Sequence, residues 1–475
     1  MLGTFANFIQ RGQPWKYILF SFLGILVGIS VLLYHIIPGR WGLIMLIALA
    51  GCFGLMIIGN LRKILLALII IDIPLRWDIY LGARFVDYSL GNREGFLLSI
   101  TTISLMVLLI IFVVKELIKP GSQIKISIFE NVPLVAYLFI SILSTIVARD
   151  KYGSLFQIFF LFQMFFVYAY VAIVVQTRKD VLYIVFFLMV GLIVEGTIIL
   201  MQKFLGFSIN FAGITTVNDF GRLAGTLGSP NIAASFFSLL LATALGLFLN
   251  KENPGLRWVA LVGFVLGSAG LALTISRGGI LAYLISIAIL GGILWMKGKI
   301  PGWVIATALI VGVAVAVLYG GQIINRVYGL REDAAIARVS LMEIAWRMIL
   351  DHPWLGVGLN NYAIHIREYV YSEAGIQFLY VVHNKYLLIW AETGLFGLLA
   401  YIGFLITGIR RGWRTWKRDQ GVISLLAIAF VAGMIGQMIH MTVEIFDSRS
   451  QVQALWLVAG LLTAMDRISR SEKND

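Results

Sequence analysis

The sequence is poor in charge, cysteine and proline. Of its 475 residues only 13% are charged, nine are proline and one, Cys52, is cysteine. A single cysteine in an apolar run excludes a disulfide framework and a thiolate metal site. Soluble cores stop growing at roughly 250–300 residues, so a chain that is 60% hydrophobic over this length needs lipid as its solvent. The period-2 alternation of a transmembrane barrel is also absent.

What the chain has in abundance is long apolar runs. About fourteen windows approach the roughly 20 residues that a helix needs to cross a bilayer. They lie near 17–37, 41–59, 63–75, 95–114, 131–148, 154–176, 181–201, 232–249, 258–275, 279–296, 302–319, 384–408, 421–443 and 449–465. The third is short and ends at Pro74, which is typical of a broken or re-entrant segment. Only helices and closed barrels satisfy their backbone in hydrocarbon, so the predicted fold class is all-α: a polytopic transmembrane helix bundle of about 12–14 spans.

The basic residues are scattered in short loops between these spans. The net charge is +13, but this distribution is the usual topogenic signal and not a groove for a nucleic acid. With the N-terminus inside, most Lys and Arg residues fall on the cytoplasmic side, which predicts that both termini are cytoplasmic. The hydrophilic insertion 320–382 is then extracytoplasmic, with a helical pattern from Asp333 to Leu350.

We therefore expect four segments along the chain. Residues 1–180 would form the N-terminal spans and 181–319 a transmembrane core with arginine motifs. Residues 320–382 would form the extracytoplasmic, partly helical loop, and 383–475 the C-terminal spans with a histidine motif.

His383 is the first candidate for chemistry, since an ionisable residue at the membrane edge is a functional hypothesis by default. It stands with Asn384 where an apolar helix begins, and the positive end of the helix dipole disfavours an imidazolium there. A neutral imidazole can take a proton from a hydroxyl. The alternative interpretation is an interfacial histidine satisfied by a loop carbonyl.

Two arginine motifs fall on the same predicted side. Ser276-Arg277-Gly278-Gly279 is a tight turn between two apolar spans, so the Arg277 guanidinium must lie at the membrane surface. Its planar fork suits a diphosphate, whereas the alternative is a snorkelling helix-end arginine. The second motif is the glycine-rich loop that carries Arg222 and ends at Pro230-Asn231, the entry to the next span.

Other polar residues rank lower. Glu195 and Gln202 lie seven residues apart on one helical face, which favours a helix–helix hydrogen bond. A cluster at the last outer turn would either orient a base or cap the helix ends; its members are Glu444, Asp447 and Arg449. No metal-ligand spacing is found for the remaining histidines, which are His35, His352, His365 and His440. Metal-independent chemistry is therefore favoured.

Together these motifs resemble the O-antigen ligase/polymerase superfamily, the membrane glycosyltransferases that share the region often called the Wzy C domain. The resemblance covers roughly residues 190–465. Its most specific feature is His383-Asn384, nine residues, Gly394, two residues and Gly397. Further matches are the glycine-rich Arg222 segment, the Ser276-Arg277-Gly278 turn and an outer-loop pattern that runs from Arg338 through Trp346 and Asp351-His-Pro-Trp-Leu-Gly356-Val-Gly358 to Tyr362.

The resemblance implies an enzyme of the bacterial inner membrane that works in cell-envelope polysaccharide biosynthesis, as in lipopolysaccharide assembly. It would transfer a glycan from undecaprenyl diphosphate to an acceptor hydroxyl with inversion, without a metal or other cofactor, on the extracytoplasmic face. Arg222 and Arg277 would hold the diphosphate, and His383 would activate the acceptor or position the diphosphate. Supporting roles would fall to Arg338, Asn384 and Glu444. The partners would be the lipid-linked donor, a glycan, lipid or protein acceptor, and membrane lipids.

Two other functions remain open from the sequence. A repeat-unit polymerase would use the same donor site with a second lipid-linked repeat as acceptor. A lipid-glycan transporter would carry out no chemistry, but it should carry ionisable groups at mid-depth and paired broken helices. The motifs here lie at one membrane edge, which favours an enzyme.

Overall fold

The computed structural model describes residues 60–85, 93–118, 131–211, 213–298, 300–303, 306–307, 310, 313, 332–370 and 380–474. The predicted spans 17–37 and 41–59, and two thirds of 302–319, lie outside the described residues. In the part that is described, seven helices are long and apolar enough to cross a membrane. The protein is accordingly an all-α polytopic helix bundle with very little sheet, which confirms the predicted fold class.

The first half of the described chain runs from a short helix and a hairpin into long helices. Its elements are α1 (Leu61–Leu75), β1 (Asp78–Phe85), β2 (Arg93–Ser99), α2 (Ile100–Ile118), α3 (Val132–Ser144), α4 (Lys151–Val174), α5 (Arg178–Leu205), the two-residue strands β3 (Asn210–Phe211), β4 (Ile214–Thr215), β5 (Asn218–Asp219) and β6 (Arg222–Leu223), and α6 (Pro230–Leu249). The strands pair only as antiparallel hairpins, β1 with β2, β3 with β4 and β5 with β6.

The second half is entirely helical. Its elements are α7 (Pro254–Thr274), α8 (Arg277–Met296), α9 (Glu332–Asp351), α10 (Tyr362–His365) followed by a 3-10 turn (Ile366–Tyr369), α11 (Lys385–Arg418), α12 (Val422–His440) and α13 (Arg449–Asn474). The predicted helix from Asp333 to Leu350 is confirmed as α9. Helices α6 and α12 are the most buried candidate spans and form the centre of the bundle.

Local sequence signals set several helix starts. Thr177 and Asp180 form a capping box that begins α5, with Asp180 N donating to Thr177 Oγ1 at 3.2 Å and Thr177 N donating to Asp180 Oδ2 at 3.1 Å. Ser229 caps α6, and Pro230 stands at its first position, where a missing N–H costs nothing. These caps fix where the connecting loops end.

The apolar window 95–114 begins differently from the prediction. Residues up to Ser99 belong to β2, and the helix begins only at Ile100. The strand is apolar because Phe96 packs edge-on against Phe156 and Phe159 of α4, with ring centroids 4.8 and 5.3 Å apart. A short apolar run of this kind does not distinguish strand from helix.

The predicted span 449–465 forms as part of α13, but α13 is not among the seven span candidates. Its first turns carry Arg449, Gln451 and Gln453, all buried. They are tolerated because their partners lie inside the bundle: Arg449 pairs with Asp72, and Gln453 Nε2 donates to the Ile69 carbonyl at 2.9 Å.

Several described loops that were predicted to share one side meet at one end of the bundle, which we call the hairpin end because it carries β1 and β2. There Arg84 bonds Asp150 at 3.0 Å and Lys385 N donates to the Met441 carbonyl at 2.8 Å. At the opposite Asp466 end, Arg178 pairs with Asp419 at 2.8 Å. The alternation of loops is thus supported, while the cytoplasmic placement of the termini and the division into four segments stay predictions.

A small second core supports the hairpin end. It joins α9 and the turns that follow it to the first turns of α11, and its members include Leu341, Met348, Tyr362, Val382 and Leu388. This core holds the side chains of α9 over the ends of the buried helices.

Candidate active site

The β5–β6 hairpin places Arg222. Its turn is closed by the Gly221 N–H, which donates to Asn218 Oδ1 at 2.9 Å. Arg222 then lies over the start of α6, where its Nε donates to the Thr274 carbonyl at 3.1 Å and its Nη2 to Asn231 Oδ1 at 2.8 Å. These hydrogen bonds hold the Arg222 guanidinium in one position at the side of the site.

Side chains of α5 hold the loop that follows this hairpin. Glu195 accepts from Thr226 N at 3.0 Å and from the Thr226 hydroxyl, and Gln202 Oε1 accepts from Gly225 N at 3.0 Å. The two side chains do share a helical face, but they bond this loop and not another helix. Their role here is to hold the Arg222 loop against the bundle.

Asn231 connects the two arginine motifs. Its Oδ1 accepts not only from Arg222 but also from the Ser276 hydroxyl, at 3.0 Å. Ser276 also caps α8, accepting from Gly279 N at 3.4 Å. Arg277, the next residue, therefore occupies the first position of α8 and its side chain is exposed.

The glycines after Arg277 permit close packing of helices. A Cβ on Gly278 would lie 2.7 Å from His440 Cδ2 and 2.9 Å from Val443 Cγ2, and one on Gly279 would overlap Ala234. The start of α8 can therefore approach both α6 and the end of α12. This approach brings Arg277 beside His440.

A small pocket that is open to solvent lies at this place. Most of its lining is polar or charged. The lining residues are Arg222, Asn231, Ile275, Ser276, Arg277, Gly278, Arg338, His440, Val443 and Glu444. The structure thus brings together four residues singled out from the sequence: Arg222, Arg277, Arg338 and Glu444. Within the described part of the chain, no carboxylate forms an ion pair with Arg277 or Arg338.

Glu444 is the acidic member of the pocket. It is 8% exposed, and burial raises the pKa of its carboxyl to about 7, with a further contribution from the negative charge of Asp447. The Asn231 side chain and the positive charge of Arg338 lower the same pKa but do not offset burial. The pocket therefore carries three guanidinium groups against one carboxyl that is only partly ionised at neutral pH.

His383 lies beside this pocket and does not line it. Burial is the largest cause that lowers the pKa of its imidazole, and the positive charge of Arg338 lowers it further. A hydrogen bond with the Val381 backbone raises the pKa, as the alternative of a loop carbonyl anticipated, and the negative charge of Asp447 raises it further. The neutral imidazole expected from the helix N-terminus is thus favoured mainly by burial. Arg338 lies within electrostatic reach of both His383 and Glu444, so it connects the histidine to the pocket.

The hydrogen bonds around His383 leave one ring nitrogen open. Among the described residues, no hydrogen-bond partner lies at its buried Nδ1. The Tyr380 ring is tilted against the imidazole, with centroids 5.9 Å apart. The neighbouring Asn384 caps α11, its Oδ1 accepting from Tyr386 N at 3.0 Å and Leu387 N at 3.1 Å. Asn384 therefore fixes the direction of the helix behind His383.

The histidine motif and the outer-loop motif contact each other at a glycine. Gly394 has a φ of +73°, which interrupts α11 and lets its backbone approach the Trp354 carbonyl. The loop docks in this kink, with Val357 N donating to the Ala391 carbonyl at 2.8 Å and Leu395 N donating to the Pro353 carbonyl at 2.8 Å. The nine-residue spacing thus positions the outer loop, and with it α9 and Arg338, above the pocket.

Two pocket residues were missed as site candidates in the sequence. His440 was considered only for metal-ligand spacing, and Asn231 only as a helix entry. One signal was available: His440 and Glu444 are four residues apart, which is the spacing of neighbours on one helical face. In the described chain no group of three His, Cys, Asp or Glu side chains is arranged to hold a metal ion. The expected metal-independent chemistry stays a prediction.

Comparison with protein families gives a match over this part of the chain. Residues 262–402 match the model of the family described as O-Antigen ligase, whose short name is Wzy_C. The matched range begins within α7 and ends within α11, so it includes Arg277, Arg338 and His383. A comparison with curated proteins gives no match.

Proposed function

The chain belongs to the O-antigen ligase/polymerase superfamily through residues 262–402, and from this premise we propose that it transfers a glycan from undecaprenyl diphosphate to an acceptor hydroxyl. The family makes it a membrane enzyme of ligase or polymerase type. The donor, the acceptor and the chemistry are our proposal, argued from the pocket.

The observation that carries the proposal is the cationic pocket at the hairpin end. Three guanidinium groups line it, and within the described residues Arg277 and Arg338 have no carboxylate partner. Arginine binds pairs of phosphate oxygens bidentately and keeps its charge at any physiological pH. A diphosphate joined to a lipid lies at headgroup level, where the exposed helix-end Arg277 would meet it. A diphosphate fits this set of donors better than a neutral sugar does.

The hydrogen bonds that each arginine makes within the protein indicate its role in binding the lipid-linked glycan donor. Arg222 is held by Thr274 and Asn231, with the Asp219 carboxylate 3.8 Å away, and would contribute its positive charge from a fixed position. Arg277 and Arg338 are both exposed, on α8 and α9, and would close on the phosphates from two sides. Positive charge placed where the leaving diphosphate gains negative charge lowers the barrier to its departure.

The reaction would be a single displacement with inversion. The acceptor oxygen forms a bond to the anomeric carbon while the bond from that carbon to the diphosphate oxygen breaks, and undecaprenyl diphosphate leaves with the electron pair. His383 takes the proton of the acceptor hydroxyl. A lowered pKa and an open, buried Nδ1 suit that base. No metal, nucleotide or other cofactor enters the proposed reaction.

We place the reaction on the extracytoplasmic face of the bacterial inner membrane. The support is the charge asymmetry of the loops, which assigns the hairpin end to the outside. Lipid-linked glycans are presented on that face once they have been translocated. The same pocket would serve a polymerase, whose acceptor is a second lipid-linked repeat.

The test is transfer by the purified protein in liposomes that contain a lipid-linked repeat and candidate acceptors. We expect Arg277→Ala and His383→Ala to abolish most transfer. Two matched controls should transfer normally: Arg347→Ala, which removes an arginine of α9 that pairs with Glu343, and His352→Ala, which removes an exposed histidine.

Product analysis separates the remaining functions. A product on a terminal acceptor supports a ligase, and a lengthened lipid-linked chain supports a polymerase. Normal transfer by both Arg277→Ala and His383→Ala would contradict the proposed site. Movement of the lipid across the bilayer without any new glycosidic bond would replace the enzyme by a transporter.

A further inference from the structure

A second histidine, His440, lies at the floor of the pocket. It ends α12, is 1% exposed and borders the pocket beside Gly278. A Cβ on Gly278 would lie 3.0 Å from His440 Nε2, so this nitrogen faces the first turn of α8 where Arg277 projects. Within the described residues Nε2 makes no hydrogen bond, and it is not one of the polar atoms that are closed off from solvent. This nitrogen is therefore open to the pocket, where a ligand can bond it.

The other ring nitrogen is fixed by a hydrogen-bond chain from two helices. His440 Nδ1 lies 3.0 Å from the hydroxyl oxygen of Ser235 on α6. Gln451 on α13 donates its Nε2 to the same oxygen at 2.8 Å, and Gln437 donates to the Ser235 carbonyl at 2.9 Å. Ser235 is 2% exposed, so water does not replace these partners.

Accounting for the hydroxyl proton decides the tautomer. The Ser235 oxygen accepts from Gln451, so the proton of its hydroxyl needs an acceptor, and His440 Nδ1 is the one within reach. If Nδ1 accepts, a neutral ring carries its own proton on Nε2. The opposite tautomer would require the Gln451 amide to turn over, so that its oxygen, which has no hydrogen-bond partner among the described residues, accepts the Ser235 proton instead. The chain Gln451 to Ser235 to His440 therefore ends in an N–H donor aimed into the pocket.

We propose that His440 is a ligand-binding residue whose Nε2–H donates to a phosphate oxygen of the lipid diphosphate, with Ser235 and Gln451 as the positioning residues that hold it in this state. The inference rests on the proposed function, since it names a further contact for the same ligand. The arginines supply charge from the rim, while His440 supplies a directed bond from the floor. Three arginines and one directed donor offer more N–H groups than the oxygens of a single phosphate can engage, so a diphosphate should gain more from the floor donor than a monophosphate does.

The test is binding of undecaprenyl diphosphate and undecaprenyl monophosphate to the protein in lipid nanodiscs. His440→Phe keeps the ring volume and removes the donor, so we expect about tenfold weaker diphosphate binding, as for loss of a hydrogen bond to a charged group, and little change for the monophosphate. His440→Gln can return an N–H near the position of Nε2 and should recover most of the affinity. His365→Phe, which changes a buried histidine outside the pocket, is the matched control and should bind like the wild type.

A second readout reports the tautomer directly. Nitrogen-15 NMR of labelled histidine, assigned by the loss of one signal in His440→Phe, should show the Nε2–H form in the wild type. Ser235→Ala should convert this signal to a mixture of tautomers and weaken diphosphate binding a few-fold. If His440→Phe does not fold, His440→Gln identifies the signal and Ser235→Ala supplies the loss of affinity.

The outcomes also separate this inference from the proposed function. Unchanged diphosphate affinity in His440→Phe, or an Nδ1–H tautomer in the wild type, would overturn the role of His440. If Arg277→Ala loses binding in the same assay, the proposed function stands without it. No binding of undecaprenyl diphosphate by the wild type would overturn both.

Discussion

Arginines are found at both ends of the bundle, but the two groups differ in whether they form ion pairs with carboxylates. At the Asp466 end, Arg414, Arg418 and Arg470 share the buried carboxylate of Asp466, with N–O distances of 3.3, 2.8 and 2.6 Å. At the hairpin end, Arg277 and Arg338 line a pocket and, within the described residues, have no carboxylate partner. Residue type alone therefore does not distinguish a structural arginine from one that can bind an anionic ligand. The ion-pair partners of each arginine make that distinction.

Arg449 gives a third case within the same comparison. Its side chain and that of Asp72 are both 0% exposed and lie 3.0 Å apart, and Asp78 completes the group. The sequence suggested that this arginine, near Glu444, would help orient a base or cap a helix. In the structure its contacts are with α1 and β1, so it connects the hairpin to α13 and serves folding.

The largest expected effect is therefore on stability. Arg449→Leu leaves the buried carboxylate of Asp72 without its partner, and breaking a buried pair in this way costs about 3–5 kcal/mol. Thermal unfolding of the purified protein in detergent checks this, and Asp72→Asn combined with Arg449→Leu should recover part of the loss. A melting temperature equal to that of the wild type would show that the pair is not structural.

Arg277→Ala should have the opposite signature. We expect transfer to fall by about 10²–10³-fold, the usual cost of removing one donor that stabilises charge in the transition state. Thermal stability should stay within about 0.5 kcal/mol, as is usual for an exposed side chain. Arg277→Lys should recover only part of the activity, because an ammonium lacks the bidentate fork. A fall in stability that matches the loss of transfer would assign Arg277 to the fold.

Glu444 predicts how the pocket responds to pH. Because its pKa is about 7, the carboxyl gains a proton as pH falls from 8 to 6, the pocket becomes more positive, and diphosphate binding should tighten several-fold. Glu444→Gln should bind more tightly than the wild type at pH 8 and about equally at pH 6. The protonation of the ligand is common to both proteins, so the difference between their pH curves isolates this residue.

The sign for stability follows from the same shift. The folded pKa lies above the unfolded value of 4.5, so the stability associated with protonated Glu444 is fully present below pH 4.5 and is lost as the pH rises through about 7. Relative to Glu444→Gln, the wild type should lose thermal stability over that interval. If the stability of the two proteins changed with pH in the same way, the pKa of the Glu444 carboxyl would not be raised on folding.

The smallest effect is expected at the Asp466 end. Arg414→Ala removes one of three arginines around Asp466, and the remaining two still neutralise the carboxylate. We expect a change in stability below about 1 kcal/mol and normal transfer. A strong loss of transfer here would mean that the two ends do not differ as their ion pairs indicate.

Features that depend on residues close together in the sequence could be predicted, whereas features that depend on contacts between distant segments could not. The Ser276-Arg277 turn and the α9 pattern are local, and the sequence predicted them. A neutral His383 was also predicted, but from the helix N-terminus, whereas burial and the charge of Arg338 lower the pKa of its imidazole. The β1–β2 hairpin was missed because its apolar strand packs on α4, and the pairing of Arg449 with Asp72 spans most of the chain. Asn231 and His440 were missed as site residues because their roles depend on contacts with other helices.

The relation of His383 to the pocket shows the same limit. The sequence placed it with Arg222 and Arg277 on one predicted side, but the imidazole that lines the pocket is His440. His383 interacts with the pocket electrostatically, through Arg338. Side of the membrane is a property of the whole span and can be predicted from charge. Which of two histidines faces a cavity depends on how helices pack, and no local pattern encodes that.

The most direct test of the account is a structure of the protein with undecaprenyl diphosphate bound. We predict that the phosphate oxygens lie within hydrogen-bond distance of Arg277 in the pocket of the hairpin end, between α8 and α9. A diphosphate bound elsewhere in the bundle, with Arg277 facing solvent or lipid, would contradict the central claim.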